Sequence, residues 1–250
     1  MAKIKCPLHD DGPVNAGEQR LLDYLSLKLP ENYYIVPNVN LPISGPNNVM
    51  KYWEYDCIVI APHAIFHIEN KDWGGNLEGD DFAWFRSGQE VANPHKTAGL
   101  KTRILASKIK NAHPDWRFGQ IFTLITLSNP QQSKFGLDPQ CECYKQTYTL
   151  GNELIDFLTN YDMLGRRQYQ ISDVQEKVAD YLTGQSVAGI RAARTELFNY
   201  KIIEKLQETE EFTEFLCEPK LIATAKYKIR EYPLDVACLL YTSPSPRDCS

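Results

Sequence analysis

The sequence predicts an α/β protein: a mixed β-sheet flanked by helices, with a short β-rich fragment at the C-terminal end. Two observations support this prediction. Helical patterns alternate with runs of β-branched and aromatic residues through the first half of the chain. After Gly189 the helical patterns give way to two strand-like stretches, at residues 198–216 and 223–236.

The first two predicted elements are a helix and a strand. Residues 15–29 place leucines on one helix face, and Pro30 ends the pattern. Residues 33–43 have a strand composition that Pro37 interrupts, which predicts an edge strand or two short strands. We therefore expect this segment at the margin of the sheet.

The middle of the chain supplies most of the predicted sheet. Residues 55–71 fit two strands joined at 61–64, which predicts a β-hairpin. Residues 80–88 predict a further strand or hairpin. Residues 119–129 are a continuous apolar run bounded by glycine and Asn-Pro, which is typical of a buried central strand. Between these strands, residues 94–111 predict a helix whose core side comprises Leu100, Ile104, Leu105 and Ile109.

Two later helices are predicted, at residues 152–158 and 172–184. For the second helix we expect Ser172 as the N-cap, Gln175 as its capping-box partner and Gly184 as the stop.

Composition indicates a cytoplasmic protein with no membrane association. Hydrophobic residues make up 43% of the chain, but no apolar run is long enough to span a bilayer, and the N-terminus lacks the apolar core of a signal peptide. The seven cysteines are odd in number and scattered, which favours reduced thiols.

Charge is unevenly distributed. The net charge of −5 argues against a globally basic nucleic-acid-binding surface. Residues 91–114, however, contain no acidic residue and five basic ones: Lys96, Lys101, Arg103, Lys108 and Lys110. Because salt confines each charge to about 8 to 10 Å, such a local patch can attract phosphate on an acidic protein. A solvated helix face is the alternative.

The hairpin predicts a cluster of charged side chains. With a period of two, His67, Glu69 and Lys71 share one face of the second strand. If strand pairing brings Asp56 near Glu69, two carboxylates and one ammonium group converge at the open end of the hairpin.

Such a cluster has two interpretations. Two carboxylates suit Mg²⁺, with Mn²⁺ as an alternative, because Mg²⁺ usually takes one or two protein carboxylates together with water and phosphate oxygens. A neighbouring lysine can orient or deprotonate a metal-bound water that attacks a phosphodiester. The alternative is a cross-strand salt bridge of Lys71 with either acid, worth about 0 to 1 kcal/mol.

Residues 16–127 resemble the nuclease-related domain (NERD) family, a branch of the PD-(D/E)xK nuclease superfamily. The resemblance implies a restriction-endonuclease-like core. It rests on four stretches taken together: NAGEQRLLDYL, EYDCIVI, IFHIENKDWGG and NPHKTAGLKTRI.

The resemblance also implies a set of site residues. Asp56 and Glu69 would bind the metal, and Lys71 would be the catalytic lysine. Glu18 would be the helical acid that reaches the metal site, and the backbone carbonyl of Asn70 would add a metal ligand. The implied activity is Mg²⁺-dependent hydrolysis of DNA phosphodiester bonds.

Two positions depart from the family pattern. Tyr55 precedes Asp56 in place of the family's proline, which does no chemistry. Thr97 stands where the family usually places a glutamine, in the helix after the Asn-Pro pair. Lys96 and Lys101 are the candidate phosphate-binding residues that would compensate.

Structural alternatives remain open for two site residues. Glu18 lies three positions after Asn15 and is also suited to an N-terminal capping interaction. His67 forms either a wall of the pocket or a packed core histidine.

The C-terminal strands resemble the start of a protein-kinase-like domain, of the kind fused behind NERD modules in bacterial phage-defence proteins. Lys226 or Lys228 is the candidate nucleotide-binding lysine. The chain ends before any His-Arg-Asp or Asp-Phe-Gly motif, so we do not expect phosphoryl transfer by that mechanism.

Four segments follow from these assignments. We expect a nuclease-like domain at residues 1–150, a helical extension at 151–195, a truncated kinase-like start at 196–237 and a disordered, non-native tail at 238–250. The alternative function is a non-catalytic module that recognises nucleic acid or protein and regulates the kinase-like domain.

Overall fold

A computed structural model describes residues 1–7, 15–44, 50–160, 171–186, 196–197, 200–208, 213–219 and 226–231. The predicted tail at residues 238–250 lies outside these ranges, as do residues 161–170 and 187–195 of the predicted helical extension. The chain divides into two units, Met1–Gly189 and Ile190–Ser250.

The first unit is an α/β structure, as predicted. Its helices are α1 Ala16–Lys28, α2 Pro94–Ala112, α3 Glu142–Lys145, α4 Asn152–Thr159 and α5 Gln175–Gln185. Its strands are β1 Lys3–Ile4, β2 Tyr34–Ser44, β3 Met50–Ile60, β4 Ile65–Lys71, β5 Leu77–Gly79, β6 Trp84–Arg86, β7 Gln89–Val91, β8 Ile121–Leu127 and β9 Thr147–Thr149.

Six strands form one mixed sheet in the order β1-β2-β3-β4-β8-β9. The predicted hairpin is confirmed, because β3 and β4 pair antiparallel. Strand β8 pairs parallel with β4 and with β9, so the predicted buried central strand is also confirmed.

The prediction of two short strands at residues 33–43 is wrong, whereas the alternative prediction of an edge strand holds for part of β2. Strand β2 is continuous and lies between β1 and β3, but β1 pairs only with Tyr34 and Ile35. Among the described residues, no strand on that side therefore needs an N–H from Pro37, and proline is tolerated there.

Helices cover both faces of the sheet. Helices α1 and α4 pack on one face, through Leu25 and Leu158. Helices α2 and α5 pack on the other face, through Leu105 and Leu182. Leu100 was expected on the core side of α2, but it is exposed.

The capping prediction for α5 is wrong. This helix begins at Gln175, after an N-cap at Val174 that makes no side-chain capping bond. The Gln175 amide instead donates to the carbonyls of Asn32 and Ile60, so tertiary contacts determine its position.

Smaller β structure accompanies the main sheet. Strands β5, β6 and β7 form a separate three-stranded sheet that directly follows the hairpin. The second unit contains the predicted β-rich segment as a four-stranded antiparallel sheet. Its strands are β10 Glu196–Leu197, β11 Tyr200–Glu208, β12 Thr213–Pro219 and β13 Tyr227–Glu231.

The close approach of α1 to the end of β4 gives a test of the fold. A Cβ added at Gly17 would lie 2.5 Å from the Asp72 Cβ and 2.7 Å from the Ser128 Oγ. Gly17→Ala should therefore lower the free energy of unfolding by about 1 to 3 kcal/mol, measured by urea denaturation. Gly99→Ala is the matched control, because nothing lies within 4 Å of its added Cβ in the interior of α2. The control should be neutral or stabilising by about 1 kcal/mol, and equal effects of the two substitutions would contradict the packing.

Candidate active site

The site lies where β3 and β4 separate. Their last paired residues are Cys57 and Ile68. Beyond this pair the ladder between the two strands ends. The Asp56 carboxylate there accepts a hydrogen bond from the backbone N–H of Asn70 at 2.7 Å. The side chain of Asp56 therefore occupies the opening of the hairpin.

Glu69 stands beside this opening and is bonded to two lysines. Its Oε1 accepts from Lys71 Nζ at 3.0 Å, and its Oε2 accepts from Lys101 Nζ at 2.7 Å. Glu69 and Lys101 are both buried, and Lys71 is partly buried. The predicted convergence of carboxylate and ammonium groups is present, with Lys101 as an additional member.

The pKa values follow from burial and from these pairings. Burial and the Glu69 charge raise the pKa of Asp56 to about 7, although both lysines oppose this. Burial would also raise the pKa of Glu69, but Lys71 and Lys101 together lower it below its ordinary value. Burial acts to lower the pKa of Lys71, but Glu69 and Asp56 raise it, so this lysine is an ammonium ion.

Helix α1 brings Glu18 to the same region. Asn15 caps the helix by accepting from the Glu18 N–H at 3.0 Å, and its amide donates to Glu18 Oε1 at 2.8 Å. The expected capping interaction is thus present. Glu18 is buried and lines a small pocket together with Asp56 and Asn38. Capping and a site role are compatible.

Two further residues, Asn70 and Arg20, fix the strand end. The Asn70 side chain donates to Ser128 Oγ at 3.0 Å and accepts from Thr126 Oγ1 at 2.9 Å, which ties β4 to the end of β8. Arg20 of α1 pairs with Asp72 and donates to the Ser128 carbonyl at 3.0 Å.

The two candidate phosphate-binding lysines are placed differently. Lys101 is inside the cluster on Glu69, whereas Lys96 is exposed and donates to the Phe82 carbonyl at 2.9 Å. Thr97 is exposed near the start of α2. Lys101 lies one helical turn after Thr97, so it presents its charge from the same side of the helix.

Reasoning from the sequence did not select Asn38. It is buried within β2 with a φ of 50°, and it lies opposite Asp56 because its neighbours Pro37 and Val39 pair with Cys57 and Tyr55. Asparagine tolerates this left-handed conformation better than most residues. An asparagine after a proline in a strand-like run was the available signal.

The donor chemistry of the cluster fits a divalent ion such as Mg²⁺. Asp56 is a largely desolvated carboxyl group beside a second carboxylate, and a cation between them would relieve the repulsion that raises its pKa. Among the described residues, no three His, Cys, Asp or Glu side chains form a group that could hold an ion alone. An ion would therefore depend on water or phosphate oxygens for its remaining ligands, as Mg²⁺ commonly does.

One of three comparisons with known proteins gives a match. Residues 13–128 match the model of the NERD family, described as nuclease-related domain. The NERD resemblance is therefore confirmed for this segment, which includes the whole cluster around Glu69. No curated protein and no solved structure matches the chain. None of the helices in the described ranges is long and apolar enough to cross a bilayer.

The raised pKa of Asp56 predicts how stability changes with pH. A carboxyl group that binds its proton more tightly in the folded chain contributes stability at low pH, and this contribution is lost as pH rises towards about 7. Asp56→Asn mimics the protonated form. The variant should therefore gain up to a few kcal/mol over the wild type between pH 4 and pH 8, measured by urea unfolding in EDTA. A stability difference independent of pH would contradict the assignment.

Proposed function

We propose that residues 13–128 form a metal-dependent nuclease-like domain that hydrolyses DNA phosphodiester bonds. The observation that carries this proposal is the convergence of Asp56, Glu69 and Lys71 at the open end of the hairpin, inside the segment that matches the NERD family. A nuclease-related family also makes nucleic acid the expected partner.

Each side chain of the site has a proposed role in phosphodiester hydrolysis. Lys71 is held as an ammonium ion by Glu69, so it is suited to orient the attacking water and to stabilise charge developing on phosphate. Asp56 is suited to hold a cation, because a positive charge there would offset the Glu69 charge that helps to raise its pKa. The N–H of Asn70 holds the Asp56 carboxylate in place, and Glu18 supports the site from α1.

Asp56 and Glu69 would hold the metal ion, Mg²⁺ or alternatively Mn²⁺, with the backbone carbonyl of Asn70 as a further ligand. When bound, such an ion lowers the pKa of a coordinated water and offsets negative charge on the phosphate. Lys101 and the exposed Lys96 are proposed to contact substrate phosphates. For Lys101, this contact requires release from Glu69 Oε2.

The wider assignments remain predictions. These are the placement in the PD-(D/E)xK superfamily, the kinase-like nature of the second unit and a role in bacterial phage defence. Among the proposed nucleotide-binding lysines, Lys228 contacts Glu214 at 3.5 Å and Lys226 is exposed.

Lys71→Ala tests the catalytic assignment. The variant should lose at least about 100-fold of the Mg²⁺-dependent DNA cleavage rate, because it removes the ammonium group proposed to orient the attacking water. Lys177→Ala, an exposed lysine of α5 outside the basic patch, is the matched control and should cleave at the wild-type rate. Asp56→Ala should also be inactive. Unchanged cleavage by Lys71→Ala would sink the assignment.

One observation favours the second candidate, a non-catalytic recognition module. Both oxygens of Glu69 are already bonded to lysines, which is also the pattern of a structural ion-pair network. In this case the domain would bind nucleic acid or protein and regulate the unit that follows it.

Salt dependence and turnover distinguish the two candidates. The recognition module should bind DNA with an affinity that falls steeply with salt, and it should show no cleavage at any Mg²⁺ or Mn²⁺ concentration. Fluorescence anisotropy at increasing KCl, together with a gel assay of the same DNA, measures both properties. Turnover that disappears in Lys71→Ala would exclude the non-catalytic alternative.

A further inference from the structure

His67 is fully buried and contacts the cluster from the side of α2. Its Nδ1 lies 2.8 Å from Thr102 Oγ1. Its Nε2 lies 3.8 Å from Glu69 Oε2 and has no hydrogen-bond partner among the described residues. A buried nitrogen without a partner calls for an explanation such as a bound ion or a catalytic role.

The neighbouring hydroxyl groups determine the tautomer of His67. Thr102 donates its only hydroxyl proton to the Ala98 carbonyl at 2.9 Å, and Thr102 Oγ1 accepts from Thr123 Oγ1 at 2.7 Å. Thr102 therefore has no proton left for the imidazole, and His67 Nδ1 must donate to it. Nε2 consequently carries a lone pair directed towards Glu69.

His67 Nε2 and Glu69 Oε2 are therefore two hydrogen-bond acceptors that lie close to each other. A lone pair and a carboxylate oxygen that are 3.8 Å apart repel each other unless a positive group lies between them. The Tyr55 hydroxyl cannot supply a donor, because it already donates to the Lys101 carbonyl at 2.9 Å. The ammonium group of Lys101 neutralises Glu69 Oε2, but it leaves His67 Nε2 unbonded.

We propose that His67 Nε2 and Glu69 Oε2 form a nitrogen–oxygen pair that binds a first-row transition metal ion, in competition with the ammonium group of Lys101. Two ligands at about 2.1 Å from one ion can be up to about 4.2 Å apart, which accommodates the observed separation. An imidazole ligand whose other nitrogen donates a hydrogen bond is the usual arrangement in metal sites. Imidazole favours transition metals over Mg²⁺.

This inference deepens the proposed function and rests on it for its biological meaning. It assigns the metal class, with Mn²⁺ preferred to Mg²⁺, and it makes His67 a ligand. Binding is measured on the isolated protein without DNA, so the two proposals can fail separately.

The experiment measures Mn²⁺ affinity from the electron paramagnetic resonance signal of free Mn²⁺, and Mg²⁺ affinity by competition. The wild type should bind Mn²⁺ about tenfold or more tightly than Mg²⁺. His67→Phe retains a ring but removes Nε2, and it should weaken Mn²⁺ binding about 10- to 100-fold while leaving Mg²⁺ binding unchanged. His113→Gln is the matched histidine control, since His113 stacks on Trp116 at the end of α2, and it should bind both ions as the wild type does.

Lys101→Met provides a second measurement that leaves the imidazole in place. It removes the competing ammonium group and should tighten Mn²⁺ binding.

The proposal is overturned if the wild type and a folded His67→Phe bind Mn²⁺ with equal affinity. It is also overturned if Lys101→Met does not bind Mn²⁺ more tightly than the wild type. Mn²⁺ binding that depends on His67 without any DNA cleavage would support this metal site and reject the hydrolytic function. Mg²⁺-dependent cleavage with no contribution of His67 to metal binding would reject the metal site alone.

Discussion

The pairing of Glu69 with Lys71 and Lys101 is the constraint on which the site depends. A buried carboxylate is costly unless it is paired and hydrogen-bonded. Glu69 meets this requirement through one lysine on its own strand and one on helix α2, at 3.0 and 2.7 Å. These bonds fix the position of α2 against the end of β4, and they explain why the pKa of Glu69 is lowered and that of Lys71 raised.

At Asp56 the effects on the pKa balance in the opposite direction from those at Glu69. Asp56 is the less compensated carboxyl group, with one backbone hydrogen bond and two lysines whose charges do not outweigh burial and the Glu69 charge. Asp56 and Glu69, two carboxyl groups of the same cluster, therefore have pKa values that are shifted in opposite directions. Such divergence is a frequent property of catalytic sites, although structural ion-pair networks also perturb pKa values.

The sheet determines where this chemistry can occur. The opening between β3 and β4 leaves room for the Asp56 side chain, and the left-handed Asn38 lies opposite it on β2. Helix α1 approaches from one face through Gly17, and α2 approaches from the other through Lys101. Residues far apart in sequence therefore meet only because helices pack on both faces of one mixed sheet.

Local sequence patterns determined the helices, the hairpin, the buried central strand and the shared face of His67, Glu69 and Lys71. These features depend on periodicity and turn composition, which act over a few residues. The predicted hairpin pairing also selected Asp56, whereas Glu18 was selected only through resemblance to a family. They misplaced Leu100 on the core side of α2 and Ser172 as the N-cap of α5, because tertiary contacts outweighed local preference.

Only the tertiary structure decided which charges meet. It paired Lys101 with Glu69 instead of exposing it to solvent, and it set the pKa of Asp56 near 7. It also left His67 Nε2 without a hydrogen-bond partner among the described residues. The physical reason is that burial and electrostatic pairing depend on distances across the sheet and between helices, which no local pattern encodes. The sequence by itself determined the residue types and the elements that carry them, and the packing of α1 and α2 on the sheet decided their charge states and partners.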